Sequence, residues 1–131
     1  MNKKYLKECE QCKIDLKTKK NLCPYCITQK VFKGKWKLLI YWHLQNKTLR
    51  FGELSRLIPS TQATLIKQLK ELEDDGIINR KVYNVIPPKV EYSLTELGKK
   101  FLNVGKEMFI WGNLYIEKIV TPTKNELEEK V

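Results

Sequence analysis

A single histidine, His43, is all that this chain of 131 residues holds. General-base catalysis and catalytic zinc sites draw heavily on histidine, and no constellation of carboxylates stands in for it. The chain is therefore expected not to be an enzyme. Beside aromatic neighbours in a helical stretch, His43 itself reads as a packed residue rather than a metal ligand. Long apolar runs are missing as well. Stretches such as Leu38 to Trp42 fall far short of the about 20 residues that cross a bilayer. The opening MNKKYLKECEQC is basic and lacks the apolar segment of a secretory leader, which points to a cytoplasmic protein with no membrane partner. Acids are scarce too: 15 against 25 lysines and arginines leave a net charge of +10. That surplus implies an anionic partner, and charge alone does not choose among nucleic acid, an anionic membrane surface and an acidic protein. Internal repeats and low-complexity segments are absent.

Cysteine is present in a pattern. Cys9-Glu-Gln-Cys12 and Cys23-Pro-Tyr-Cys26 stand ten residues apart. Two Cys-x-x-Cys knuckles offer Cys9, Cys12, Cys23 and Cys26 to one tetrahedral zinc ion. Lys7, Lys13, Lys19 and Lys20 would help hold the thiolates deprotonated. Four thiolates leave no open position for substrate, so the expected zinc is structural. Redox-active thiols are the alternative for the same residues. The segment CEQCKIDLKTKKNLCPYC resembles short zinc-ribbon modules. Residues 1–27 are thus expected to form a small zinc-ribbon-like element, ahead of a main domain over 28–120 and a flexible tail over 121–131.

The main domain reads as mainly α with a small β-hairpin. From Ile27 to Gln45 the apolar residues recur at helical spacing, Gly34 divides two short helices, and the lysines at 30, 33, 35 and 37 are expected on the wet face. Leu49-Arg50-Phe51 reads as a very short strand. Phe51, Leu54, Leu57 and Ile58 share one face of the next helix, which Pro59 stops. Ser60 or Thr61 caps a longer helix whose buried stripe is Leu65, Leu69 and Leu72, and Gly76 ends it. A helix, a tight corner and a second helix with an exposed polar half is how a helix-turn-helix enters the major groove.

Thr61, Gln62, Thr64, Lys67 and Gln68 lie on the expected polar face of that second helix. Gln pairs with adenine edges, Thr meets a thymine methyl or a phosphate, and Lys reaches guanine or phosphate. Gln62, Thr64 and Gln68 are the candidates for sequence readout. Two β-prone stretches follow, IINRKVY from Ile77 and VEYSL from Val90, joined by a turn over Asn84 to Lys89 that contains Pro87-Pro88. Arg80, Lys81 and Lys89 give this hairpin a basic rim for phosphate or minor-groove contact, while Tyr92 packs on the helices. Thr95 caps a last long helix with apolar residues from Leu97 to Ile119. Their spread is wider than one small domain covers, which argues for a homodimer.

The blocks GKWKLLI from Gly34, RFGEL from Arg50, LKELEDDGI from Leu69 and VIPPKVEYSLT from Val85, with Trp111-Gly112, together resemble the HxlR-type winged helix-turn-helix regulators. The resemblance covers roughly Cys23 to Ile116. It implies a homodimeric transcription regulator on double-stranded DNA, with its first and last helices at the dimer interface. The whole reading is that of a repressor acting as a dimer on a pseudo-palindromic operator. It also implies a thiol sensor at the position of Cys23, eleven residues before the Gly-Lys-Trp block. Two departures stand out. The corner at Pro59 is one residue shorter than is usual in that family, and Cys23 sits in a four-cysteine cluster that typical members lack.

Overall fold

Helix-breaking residues set the architecture. In the computed structural model, which describes residues 23–121, Gly34 takes a φ of +137° and separates α1 (Pro24–Val31) from α2 (Lys37–Leu44). The two-residue strand β1 (Leu49–Arg50) leads directly into α3 (Phe51–Leu57). Ile58 then goes extended ahead of Pro59, as the residue before a proline is biased to do. Thr61 caps α4 (Gln62–Asp74), its Oγ1 accepting the Thr64 N–H at 3.2 Å. Of the two caps allowed by the sequence, Thr61 is the one used.

The end of α4 is a Schellman closure. Gly76, with φ +77°, donates its N–H to the Glu73 carbonyl, and Ile77 donates to Leu72, each at 3.0 Å. Both Leu72 and Ile77 are buried, which supplies the apolar contact that this motif carries. The chain leaves straight into the hairpin β2 (Ile78–Tyr83) and β3 (Lys89–Leu94), with residues 84–88 at the tip. Sheet order is β1-β3-β2, all antiparallel, with Tyr92 of β3 opposite Leu49 on one side and Arg80 on the other. Strand alternation puts Tyr92 in the core, where it is 7% exposed. One layer of helices, α2 to α4, closes over this small sheet around Ile40, Leu54, Leu65, Leu69, Ile78 and Leu94.

The structure corrects three expectations in this region. Lys37 is not on a wet face: it is 1% exposed, with its Nζ 2.9 Å from Glu71 Oε2. Leu57 points out, 44% exposed, while Leu54 and Ile58 fill the core beside it. The last helix is also two. Thr95 caps α5 (Glu96–Lys100), its Oγ1 accepting the Gly98 N–H at 2.9 Å. The chain bends at Phe101, whose ring turns inward to stack on Phe32 at 4.3 Å and meets Tyr41 edge-on at 5.4 Å. Helix α6 (Leu102–Tyr115) runs on from there, and one π-helical segment, Ile116–Val120, follows. No helix among the described residues is long and apolar enough to cross a membrane.

Candidate nucleic-acid interface

Successive residues of a helix step round its axis by about 100°, so the buried stripe of α4 fixes what its other faces present. Leu65, Leu69 and Leu72 lie against the core, and so does Gln68. The expectation that Gln68 reads bases is therefore dropped. It is 8% exposed, its Oε1 accepts the Trp36 backbone N–H at 3.1 Å, and its amide lies against Gly34. A buried amide that has found its hydrogen-bond partner is a structural tie.

Opposite the stripe, Ala63, Lys67 and Lys70 are exposed at the surface, and Gln62, in register with the stripe, is exposed as the first residue of the helix. Ile66 is beside them at 56% exposure, a large apolar side chain suited to a thymine methyl. Its position off the Leu65–Leu69–Leu72 stripe is legible on a helical wheel, and it is a residue that the polar-face reading passed over. Lys70 contacts Glu73 at 3.4 Å and Asp74 at 3.1 Å, and their hydrogen bonds and charge push its pKa upward. Thr61 is committed to the cap, its hydroxyl also donating to Thr64 Oγ1 at 2.9 Å.

The exposed face of α4 is flanked by two grooves. On the hairpin side, Ile66, Lys70 and Glu73 face Arg80, Val90 and Tyr92. On the other side, Thr64, Lys67 and Glu71 face Lys30, Lys33 and Lys37. Thus Thr64, half-buried, belongs to the flank of α4 rather than to its tip.

The three wing cations divide by strand alternation. Arg80 is on the α4 side, with Val90 and Tyr92. Lys81 and Lys89 lie on the opposite face, with their ammonium groups 4.8 and 4.7 Å from the centre of the Tyr83 ring. Lys89 is further held 2.8 Å from Glu91 Oε1, and Tyr83 Oη donates to Glu91 Oε2 at 3.0 Å. That lysine hydrogen bond holds the Glu91 carboxyl below the usual carboxylate range, with Tyr83 and the charge of Arg50 adding and desolvation opposing. Lys81 and Arg80 are the exposed cations of the wing, and Lys89 buttresses it.

Cys23 is the N-cap of α1 and Cys26 lies in its first turn, both half-buried. Cys9 and Cys12 fall outside the described residues, as does most of the expected zinc-ribbon-like element. No group of three or more histidine, cysteine or acidic residues suited to a metal occurs among the described residues.

A helix-turn-helix with a three-stranded wing and a capped, exposed second helix defines a winged helix-turn-helix, a DNA-binding class of transcription regulator. The chain belongs to the HxlR-like helix-turn-helix family, whose model matches residues 31–120. YkvN of Bacillus subtilis, an HTH-type transcriptional regulator, is 46% identical over 101 residues, covering 76% of this chain and 86% of its own. Among solved structures, the redox regulator HypR in its reduced form superposes with a TM-score of 0.70 at 42% identity, covering 75% of this chain and 97% of that one. The reduced form of YodB from B. subtilis gives 0.62 at 32% identity, covering 78% and 98%. The relatives are transcription regulators, and the chain is a regulator rather than an enzyme.

Proposed function

We propose that the chain is a sequence-specific repressor that binds a pseudo-palindromic operator as a homodimer. The observation that carries this reading is the outward face of α4, anchored at both ends and bordered by the wing. Gln62 and Ile66 then face the base edges, Arg80 and Lys81 meet the backbone beside the wing, and two-fold symmetry sets the recognition helices about one DNA turn apart. Dimerisation is supported by α6, in which no residue is buried although Val104, Met108, Ile110, Trp111 and Leu114 are all large and apolar. Selection from random-sequence duplexes with the full chain tests the reading. The expected product is an inverted repeat with half-site centres about 10 base pairs apart, or a multiple. Enrichment of no repeat would sink it.

For the four cysteines, a structural zinc remains the reading that their spacing supports, with Cys9, Cys12, Cys23 and Cys26 as ligands. Metal analysis of protein purified without added metal should give about one zinc per chain. A second reading, thiol-based sensing through Cys23, is favoured by HypR, a redox regulator solved in reduced and oxidised forms. Metal-free protein whose operator affinity changes on peroxide treatment would select it over zinc. The compartment consistent with either reading is the cytoplasm.

A further inference from the structure

A helix about 10–12 Å across fills a major groove about 12 Å wide, so both flanks of α4 must meet sugar-phosphate backbone. The wing serves one flank. The other carries the groove between α4 and the α1–α2 turn, where Lys30, Lys33, Thr64 and Lys67 meet. Resting on the operator reading above, we propose that these four residues grip the DNA backbone on the side away from the wing. Thr64 and Lys67 are thereby assigned to phosphate rather than to base edges.

Three features of the groove support this assignment. Its floor is fixed. The Gln68–Trp36 hydrogen bond and the Lys37–Glu71 pair tie the turn to α4, and a Cβ on Gly34 would stand 3.2 Å from the Gln68 amide. Among the described residues its lining is mostly cationic, with Lys30, Lys33, Lys37 and Lys67. Among the described residues that line it, Glu71 is the one acid, and it lies 2.9 Å from the buried Lys37. Lys33 and Lys67 are both exposed there, and Thr64 adds a neutral hydrogen-bonding group to the same lining. Finally, the groove adjoins the N-terminal half of α4, the part that a helix-turn-helix inserts. Lysine, hydroxyl and a rigid backbone are the chemistry of phosphate contact, and such contacts fix register without reading sequence.

The test uses the full chain, a duplex enriched by selection and an unrelated duplex of equal length. Affinity is read by fluorescence anisotropy between 50 and 200 mM salt, for wild type, K30Q/K33Q and K99Q/K100Q. The last variant removes the same charge from α5, which follows the hairpin. Each lost phosphate contact should flatten the slope of log K against log salt by about 0.9, and weaken binding roughly tenfold at 0.1 M salt. Both duplexes should be affected alike in K30Q/K33Q, with K99Q/K100Q unchanged and K30R/K33R restored. An unchanged slope in K30Q/K33Q, beside steep wild-type binding, overturns the groove and leaves the operator reading standing. Loss confined to the selected duplex also overturns it, because that would be base readout. Wild type that binds neither duplex overturns both. A groove used for a free anion would instead show stabilisation of wild type, but not K30Q/K33Q, by inorganic pyrophosphate without DNA. Together with an unchanged DNA slope, that result overturns the proposal too.

Discussion

Gln68, in the middle of the recognition helix, accepts the backbone N–H of Trp36 through Oε1 at 3.1 Å, across 32 residues of sequence. The amide N–H at the start of α2 is thereby satisfied by a side chain rather than by water, and α4 cannot rotate without breaking that bond. Gln68→Ala should destabilise the protein by about 1 kcal/mol, the net worth of a hydrogen bond that is part-buried here. Denaturant titration reads that loss. The base preference recovered by selection should be the same for Q68A as for wild type. A shifted preference at constant stability would return Gln68 to the reading face.

The Lys37–Glu71 pair makes a second, sharper prediction, because its two ends are not equally buried. The Lys37 side chain is 2% exposed and that of Glu71 is 33% exposed. Glu71→Gln leaves an ammonium in the core without its carboxylate, at a cost of about 3 kcal/mol. Lys37→Met puts a flexible apolar chain in the same volume and leaves behind a carboxylate that water already reaches, so it should cost less. Urea midpoints for the two variants give the order. The reverse order would mean that Lys37 is better solvated than its burial indicates.

Alkaline stability should report on the junction of α2 with α5. Tyr41 is 3% exposed and its Oη donates to the Gly98 carbonyl at 2.9 Å. Burial pushes its pKa from 10.0 up to about 12. The folded state thus prefers the neutral phenol. Its contribution is complete below pH 10 and is lost as pH rises from there through about 12, a change of order 3 kcal/mol. Tyr41→Phe should flatten that part of the pH–stability curve while forfeiting about 1 kcal/mol at neutral pH. The glycine itself is fixed by contact. A Cβ on Gly98 would collide with the Ile77 carbonyl oxygen, whereas one on Gly112 meets nothing within 4 Å. Gly98→Ala should therefore lower Tm clearly, and Gly112→Ala should leave it unchanged or raised.

Those three sites also mark where sequence reading stops. The cap at Thr61, the closure at Gly76 and the hairpin strands are local chemistry, set by residues within a turn of each other, and they are legible without coordinates. So is the alternation that buries Tyr92 and turns Glu91 away. Gln68 and Lys37 are different. A polar residue in an amphipathic helix looks solvated unless its partner is known, and these partners lie 32 and 34 residues away. The bend at Phe101 has the same origin. The apolar periodicity runs unbroken through it, and only the packing of Phe32 and Tyr41 draws the ring inward. At the site itself, the period of α4 gives which residues share a flank. Which flank faces the wing, and which the lysines of the α1–α2 turn, depends on tertiary placement.

The apolar surface of α6 carries the prediction for assembly. Phe109 is partly accounted for within the chain, since its ring stacks on Trp42 at 4.9 Å and 6°. Trp111 is 65% exposed and Ile119 66%, and among the described residues Tyr115 stacks on Trp111 at 5.5 Å. Side chains of this size are covered by a second copy if the operator reading holds. Trp111→Glu removes little from the fold of one chain, because so little of the ring is buried there, and Tm measured on dilute protein should change little. At a two-fold interface the new carboxylate would instead meet apolar surface from each side. Sedimentation should then show monomer where wild type is dimer. Affinity for a two-half-site duplex should fall at least 100-fold, since a lone half-site loses the effective concentration that linkage provides. Binding to a single half-site should be unchanged. A dimer that persists in W111E, with undiminished affinity, would place the subunit contact elsewhere than on this face of α6.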